Sequence, residues 1–204
     1  MTRLLCNNCK RPKKTCICQF ITKINNRIKV VVLQHPNEVS QVKGSLTLLA
    51  QSLDCCTVIV GENFCDNEQL HQILNRYKTK AYLLYPHEHA TILSQEGYSP
   101  EAFNINLDDT CLILIDATWK KAYRMYMLSN ILHPLQKIQL PSGYQSLYEV
   151  RKTSVKNGLS TLEACCHALE LLEQDEKTYK KLISKFKLFN DFLLSFRPKK
   201  AGLN

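Results

Sequence analysis

The sequence predicts an α/β layer fold with a largely parallel sheet, preceded by a small four-cysteine segment. Three observations carry that expectation. Short β-branched runs alternate with stretches of helical periodicity. One run, Cys111-Leu-Ile-Leu-Ile115, is continuously apolar, as suits a strand covered on both faces. Residues 1–27 hold four closely spaced cysteines and no periodicity of their own, so they need an external staple.

The elements follow in order. Lys29–Gln34 reads as a buried strand stopped by His35-Pro36. Leu46, Leu49, Ala50 and Leu53 recur at helical spacing, and Cys56–Val60 is a strand ended by Gly61. Asn67–Tyr77 reads as a helix and Ala81–Tyr85 as a strand stopped by Pro86. The Cys111–Ile115 strand leads into a helix over Trp119–Ile131. Ile138–Leu140 and Leu147–Val150 are weaker strand candidates around the turn residues Pro141-Ser142-Gly143. Ser160 and Glu163 match a capping box, with Leu162, Cys165, Cys166, Leu169 and Leu172 as an apolar stripe behind it. A last helix sets Leu182, Phe186, Phe189, Leu193 and Phe196 on one side and most of its lysines on another. The expected division is a zinc-binding basic segment at 1–27 and an α/β domain with its C-terminal helix at 28–204.

A chain of 204 residues that is 45% hydrophobic, with six Gly and seven Pro, can bury a real core and is not disordered. It has no apolar run long enough to span a membrane or to serve as a secretory signal. Cys55, Cys56, Cys65, Cys111, Cys165 and Cys166 therefore read as reduced thiols packed like small hydrophobes in a cytoplasmic protein.

The net charge of +9 is segregated. Residues 1–30 carry eight basic side chains and no acidic one, and Lys177, Lys180, Lys181, Lys185 and Lys187 cluster on the last helix. A polyanion partner needs such concentration, although a solvated basic surface has the same composition. Cys6-x2-Cys9-x6-Cys16-x-Cys18 places four thiols within thirteen residues. Four thiolates suit one tetrahedral Zn²⁺ and leave no open position, so the site is structural. Redox pairing is the alternative. A staple here would hold Lys10, Arg11, Lys13 and Lys14 on one short loop, where they can position an RNA backbone without reading bases.

Ligands of parallel sheets collect beyond the carboxyl ends of strands. Two places qualify: Gln34-His35-Pro36 and Asp116-Ala117-Thr118-Trp119. Each residue there has a plain reading beside the chemical one. Asp116 reads as a helix N-cap or as a functional carboxylate. Trp119 reads as core or as a platform for a base. Thr118, Ser160 and Glu163 are compatible with capping alone. His35 reads as catalytic or as part of a rigid turn. Lys43-Gly44 reads as a phosphate contact or a loop-to-helix turn, and His87-x-His89 as surface.

Asp116-Ala-Thr-Trp-Lys-Lys-Ala-Tyr-Arg-Met125 resembles the signature of the DTW-domain proteins, the tRNA-uridine aminocarboxypropyltransferases. Other blocks resemble the family in the same order: the four-cysteine start through Arg11-Pro12, Leu33-Gln-His-Pro-Asn-Glu38, Lys43-Gly-Ser45, and Tyr148-Glu-Val-Arg-Lys152 with Gly158-Leu-Ser-Thr-Leu-Glu163. Leu147 and Glu149 depart from a pattern that often has arginines there, which leaves Arg151 as that stretch's best cation.

The resemblance implies a SPOUT-like fold with a C-terminal knot. It also implies transfer of the 3-amino-3-carboxypropyl group of S-adenosylmethionine to N3 of a tRNA uridine, with methylthioadenosine as the other product. Asp116 is then the catalytic residue. Gln34, His35, Pro36, Thr118, Trp119, Arg151, Lys152, Ser160, Thr161 and Glu163 are assigned to the donor. Lys10, Arg11, Lys13, Lys14, Lys43, Lys120, Lys121 and Arg124 are assigned to RNA, and Cys6, Cys9, Cys16 and Cys18 to structural zinc.

A general base near neutrality wants a pKa about three units above the ~3.9 of an ordinary Asp, or roughly 4 kcal/mol of environment. Asp116 is therefore either a base or only an acceptor for the N3 hydrogen bond. Other readings are aminocarboxypropyl or methyl transfer to another RNA such as rRNA, and a non-catalytic zinc-stapled RNA-binding module. Monomer and dimer both stay open, and no membrane partner is expected.

Overall fold

The computed structural model describes residues 4–9, 11–41, 45–93, 106–146 and 158–196. Its centre is a sheet of six parallel strands: β1 (Lys29–Gln34), β2 (Cys56–Val60), β3 (Ala81–Leu84), β4 (Thr91–Ile92), β5 (Cys111–Asp116) and β6 (Gln136–Gln139). They lie side by side in the order β2-β1-β5-β3-β6-β4. The helices are α1 (Pro36–Val39), α2 (Leu46–Ser52), α3 (Glu68–Tyr77), α4 (Trp119–Leu128), α5 (Thr161–Glu173) and α6 (Glu176–Ser195).

The apolar runs of β1 and β5 are covered on both sides. Val30 and Val32, with Leu112 and Leu114, face a cluster built from α2, α5 and α6. Val31 and Leu33, with Cys111 and Ile113, face Leu70 of α3 and Met125 of α4. Side chains of a strand alternate between faces, so a helix layer on each side requires both sets to be apolar.

Ile17, Phe20 and Ile24 belong to the same cluster as α6, and the Phe20 ring meets Phe189 and Phe192 at centroid distances of 5.7 and 5.4 Å. The segment before β1 therefore packs on the C-terminal helix. Glu173, at the end of α5, fixes the entry to β1. Its Oε1 accepts the N–H groups of Arg27 and Ile28 at 2.9 and 2.8 Å, and its Oε2 accepts the Tyr179 hydroxyl at 2.6 Å.

Elements read from sequence fall where expected, with small boundary shifts. The 119–131 helix ends at Leu128 and continues as a 3-10 turn over Asn130–Leu132. The two-residue β4 and the 3-10 turns at Lys13–Thr15 and Cys18–Phe20 were not anticipated. The strand candidate at 147–150 lies outside the described residues. None of the described helices is long and apolar enough to cross a membrane.

Candidate active site and metal centre

The chain leaves β1 toward β2 on one side and β5 toward β6 on the other, so the sheet's order reverses between β1 and β5. A crevice opens at such a switch point, beyond the strands' carboxyl ends. Register puts Gln34 directly opposite Asp116 there, and the His35 N–H donates to the Asp116 carbonyl at 3.1 Å. The two places singled out in the sequence thus form one site.

Asp116 ends β5 and is not a helix cap. The N-cap of α4 is Thr118, whose side chain makes no capping bond. One Asp116 carboxylate oxygen, Oδ2, accepts Gln34 Nε2 at 3.0 Å, and the other, Oδ1, accepts the Thr161 hydroxyl at 2.6 Å. Thr161 is brought in by the start of α5. Ser160 Oγ accepts the Glu163 N–H at 3.3 Å, and Glu163 Oε2 accepts the Ser160 N–H at 2.8 Å, so the capping box is complete. The same Glu163 oxygen accepts the Ser146 hydroxyl at 2.9 Å, and the ring of Tyr144 packs on His167 at 4.2 Å. These contacts dock the loop after β6 on α5.

His35 is buried, and both of its ring nitrogens are engaged. Nδ1 accepts the Asn37 N–H at 3.1 Å, capping α1, and Nε2 faces Glu62 Oε1 at 3.5 Å. The geometry makes it part of a rigid turn. Pro36 follows as the first residue of α1 and is exposed. Glu62 also receives Arg124 Nε at 2.9 Å, and the buried Glu38 receives Lys121 Nζ at 3.1 Å. Two ion pairs therefore tie α4 to α1 and to the loop after β2. Lys120 makes no ion pair among the described residues and points into solvent. Trp119 is 47% exposed, so it is not a core tryptophan.

Arg151, Lys152, Lys10 and Lys43 lie outside the described residues. Lys13 and Lys14 are exposed, whereas the guanidinium of Arg11 sits over the Phe189 ring at 5.6 Å. On α6, Lys177, Lys180, Lys181 and Lys187 are exposed, and Lys180 pairs with Glu176. His89 is exposed, as expected of surface. Glu38, Glu62, Ser146 and Tyr144 were missed in the sequence. Two of them carried a signal: Glu38 closes the Leu33–Glu38 block, and Glu62 stands two residues beyond the end of a parallel strand.

The sulfurs of Cys6, Cys9, Cys16 and Cys18 all lie within 4.8 Å of one another, and none of the ten cysteines is in a disulfide. Four ligands at ~2.3 Å on a tetrahedral ion stand about 3.8 Å apart. The separations Cys6–Cys18 of 3.6 Å and Cys9–Cys16 of 3.7 Å match that spacing and are far from the ~2.05 Å of an S–S bond. The cluster can hold a metal ion. Backbone N–H groups of Cys9 and Asn8 draw the Cys6 thiol down to about 6, while burial and the neighbouring sulfurs push Cys18 up to about 12.

Fold and sites together define an α/β protein with a hydrogen-bonded carboxylate at the sheet's switch point and a four-cysteine cluster that can hold a metal ion, next to its last helix. The family model of the DTW domain matches residues 3–194, and the chain belongs to that family, whose relatives carry the name tRNA-uridine aminocarboxypropyltransferase. It is 28% identical over 193 residues to tRNA-uridine aminocarboxypropyltransferase 2 of Mus musculus, covering 93% of this chain and 63% of that protein. The Drosophila melanogaster protein of the same name is 30% identical over 174 residues, covering 82% and 66%. tRNA-uridine aminocarboxypropyltransferase A of Arabidopsis thaliana is 26% identical over 217 residues, covering 91% and 79%. The chain thus spans 63% of the length of its mouse relative and the same share of a Macaca fascicularis protein of that name. No solved structure is matched at a significant level.

Proposed function

We propose that this chain transfers the 3-amino-3-carboxypropyl group of S-adenosylmethionine to N3 of a uridine in tRNA. The observation that carries the reading is the Asp116 carboxylate, held at the switch point by Gln34 and Thr161, inside the signature that gives the family its name. In the reaction the bond between the donor's sulfur and its γ-carbon breaks. The electron pair goes to sulfur, leaving methylthioadenosine. A bond from N3 to that carbon forms, and the N3 proton passes to the Asp116 carboxylate as it does so, and from there to water.

Asp116 accepts the N3–H of the bound uridine and orients the nitrogen toward the γ-carbon. Two donors already stabilise its charged form, which favours the acceptor role over full proton abstraction before attack. The site's other task is geometric, since nucleophile and leaving sulfur must be in line about one of three activated carbons. Backbone and side chains of Gln34, His35, Pro36, Thr118, Ser160, Thr161 and Glu163 surround the donor in this reading, and Trp119 flanks a base. Arg151 and Lys152 are assigned to its carboxylate.

The fold is proposed to be SPOUT-like, with a C-terminal knot. The return of α5 to the crevice supports this. Zn²⁺ is proposed for the four thiolates, ordering residues 1–27 as a unit that carries Lys13 and Lys14 toward the RNA backbone. A cytoplasmic location accords with ten free thiols.

Incubation of the protein with total tRNA and labelled S-adenosylmethionine, followed by nucleoside mass analysis, tests the reading. Aminocarboxypropyl-uridine is expected. A methylated nucleoside, or no donor binding at all, refutes it.

A further inference from the structure

The outward face of α4 is aromatic and basic at once. Trp119, Tyr123 and Met127 are 47%, 60% and 49% exposed. At 3.6 residues per turn these three fall within about 80° of one another on the helix surface. Lys120 and Arg124 occupy the next arc, both exposed, before the buried side formed by Ala122 and Met125 begins. An apolar strip that water covers is unfavourable on a lone helix and marks a binding surface.

We infer that this face is where unpaired nucleotides of the RNA substrate lie, with bases against Trp119, Tyr123 and Met127 and phosphates beside Lys120 and Arg124. The inference rests on the transferase reading for its substrate and extends it along α4, from Trp119 at the crevice to Tyr123 and Met127.

Charge complementarity selects the occupant. The helix carries Lys120, Lys121 and Arg124 and no acidic residue. A second copy packed across a two-fold axis would set this face against itself. Lys121 is neutralised by Glu38, but Lys120 would meet its own kind. A single strand of RNA instead offers π-faces to the rings and phosphates to the cations, the pairing that sequence-tolerant single-strand binders use. Continuity points the same way. Trp119 starts the strip three residues after Asp116, so a strand lying along α4 leads directly to the crevice. Arg124 remains 67% exposed although its Nε is held by Glu62, so its outward N–H groups are already positioned.

Trp119 is the chain's one tryptophan, so fluorescence excited in the indole band reports this face alone. The full, metal-loaded chain is titrated with unfractionated tRNA and, separately, with a fully paired RNA duplex. Quenching by tRNA and little by the duplex is expected. A Tyr123→Ala/Met127→Ala double variant keeps helix propensity and should bind tRNA about tenfold or more weakly, with an unchanged salt slope. Wild-type affinity in that variant overturns the inference, as does tRNA binding without Trp119 quenching. A wild-type dimer that the double substitution dissociates, with tRNA affinity intact, overturns it in favour of self-association. The two readings separate cleanly. Group transfer with unchanged variant affinity removes this surface and leaves the transferase, whereas quenching without transfer in wild type does the reverse. A wild type that binds no tRNA ends both.

Discussion

The Thr161 hydroxyl donates to Oδ1 of Asp116 across 2.6 Å, joining the first turn of α5 to the end of β5. Gln34 holds the other oxygen at 3.0 Å. These side chains act on the carboxylate, so their loss should be felt in turnover. Thr161→Val is expected to lower kcat about 10- to 100-fold, the ~1.5–3 kcal/mol typical of a hydrogen bond to a charged group. KM for tRNA should hold, and Thr161→Ser should restore most of the rate. Asp116→Asn should keep tRNA binding and lose transfer. Steady-state kinetics with labelled donor measure all three, and a Thr161→Val effect confined to KM would return Thr161 to a binding role.

The cation assignments divide on the same kind of evidence. Lys121 is committed to Glu38, whereas Lys120, Lys13 and Lys14 reach solvent. Removing a cation that neutralises one phosphate should reduce the slope of log affinity against log salt by about 0.7–0.9. Lys120→Ala and a Lys13→Ala/Lys14→Ala pair are expected to flatten that slope. Lys121→Ala should leave it near the parental value and act through stability instead. Glu38→Gln leaves a two-thirds-buried ammonium without its counter-charge, and should lower unfolding free energy by about 1–2 kcal/mol once solvent screening is discounted. Urea midpoints with an unchanged m-value would measure it.

The sheet was legible because its strands are buried on both faces. Val30 to Leu33 and Cys111 to Leu114 must be apolar at every position, and few soluble helices present such short β-branched runs. The capping box was legible for a local reason, since Ser160 and Glu163 satisfy each other within four residues. What the sequence could not supply is long-range. Nothing local says that Thr161 meets Asp116 or that Glu62 lies beside His35 and Arg124. Residues 1–27 misled differently: Ile17, Phe20 and Ile24 lack periodicity, yet all three are buried against other elements. β4 is two residues long and stands at the sheet's edge, too short for any pattern.

Acid sensitivity should arise partly at two carboxylates. Hydrogen bonds from Arg27 hold Asp108 below the ordinary carboxylate range, and those from Thr178 do the same for Asp175, the N-cap of α6. A group whose folded pKa is depressed stabilises the fold above its unfolded value of about 3.9, and that contribution is lost as pH falls through the folded value. Asp108→Asn and Asp175→Asn should therefore flatten the decline in urea midpoint below about pH 4. Asp175→Asn should do so with little loss at neutral pH, because Asn caps as well as Asp. An unaltered acid limb in both variants would assign the decline to other groups.

Metal removal should act on the last helix as much as on the first turns. Cys9, Ile17 and Phe20 are buried in one cluster with Phe189, and Arg11 lies over the same ring, so the cysteine segment is joined to α6 through Arg11 and Phe20. Four thiolates without an ion would repel or take up protons, and either change loosens that packing. Protein purified without added metal is expected to contain one equivalent of zinc. Stripping it with a chelator should lower the melting temperature by several degrees and expose residues 6–20 and the face of α6 around Phe189 to hydrogen exchange, while the amides of β1 and β5 stay protected. A Cys9→Ser/Cys16→Ser variant should match the chelated protein and gain nothing from added zinc. The two halves of the expectation are separable. If exchange rises only in residues 6–20, the staple orders its own loop and α6 stands without it. If a metal-free sample shows full protection throughout, the four thiols are packing groups and no ion is required.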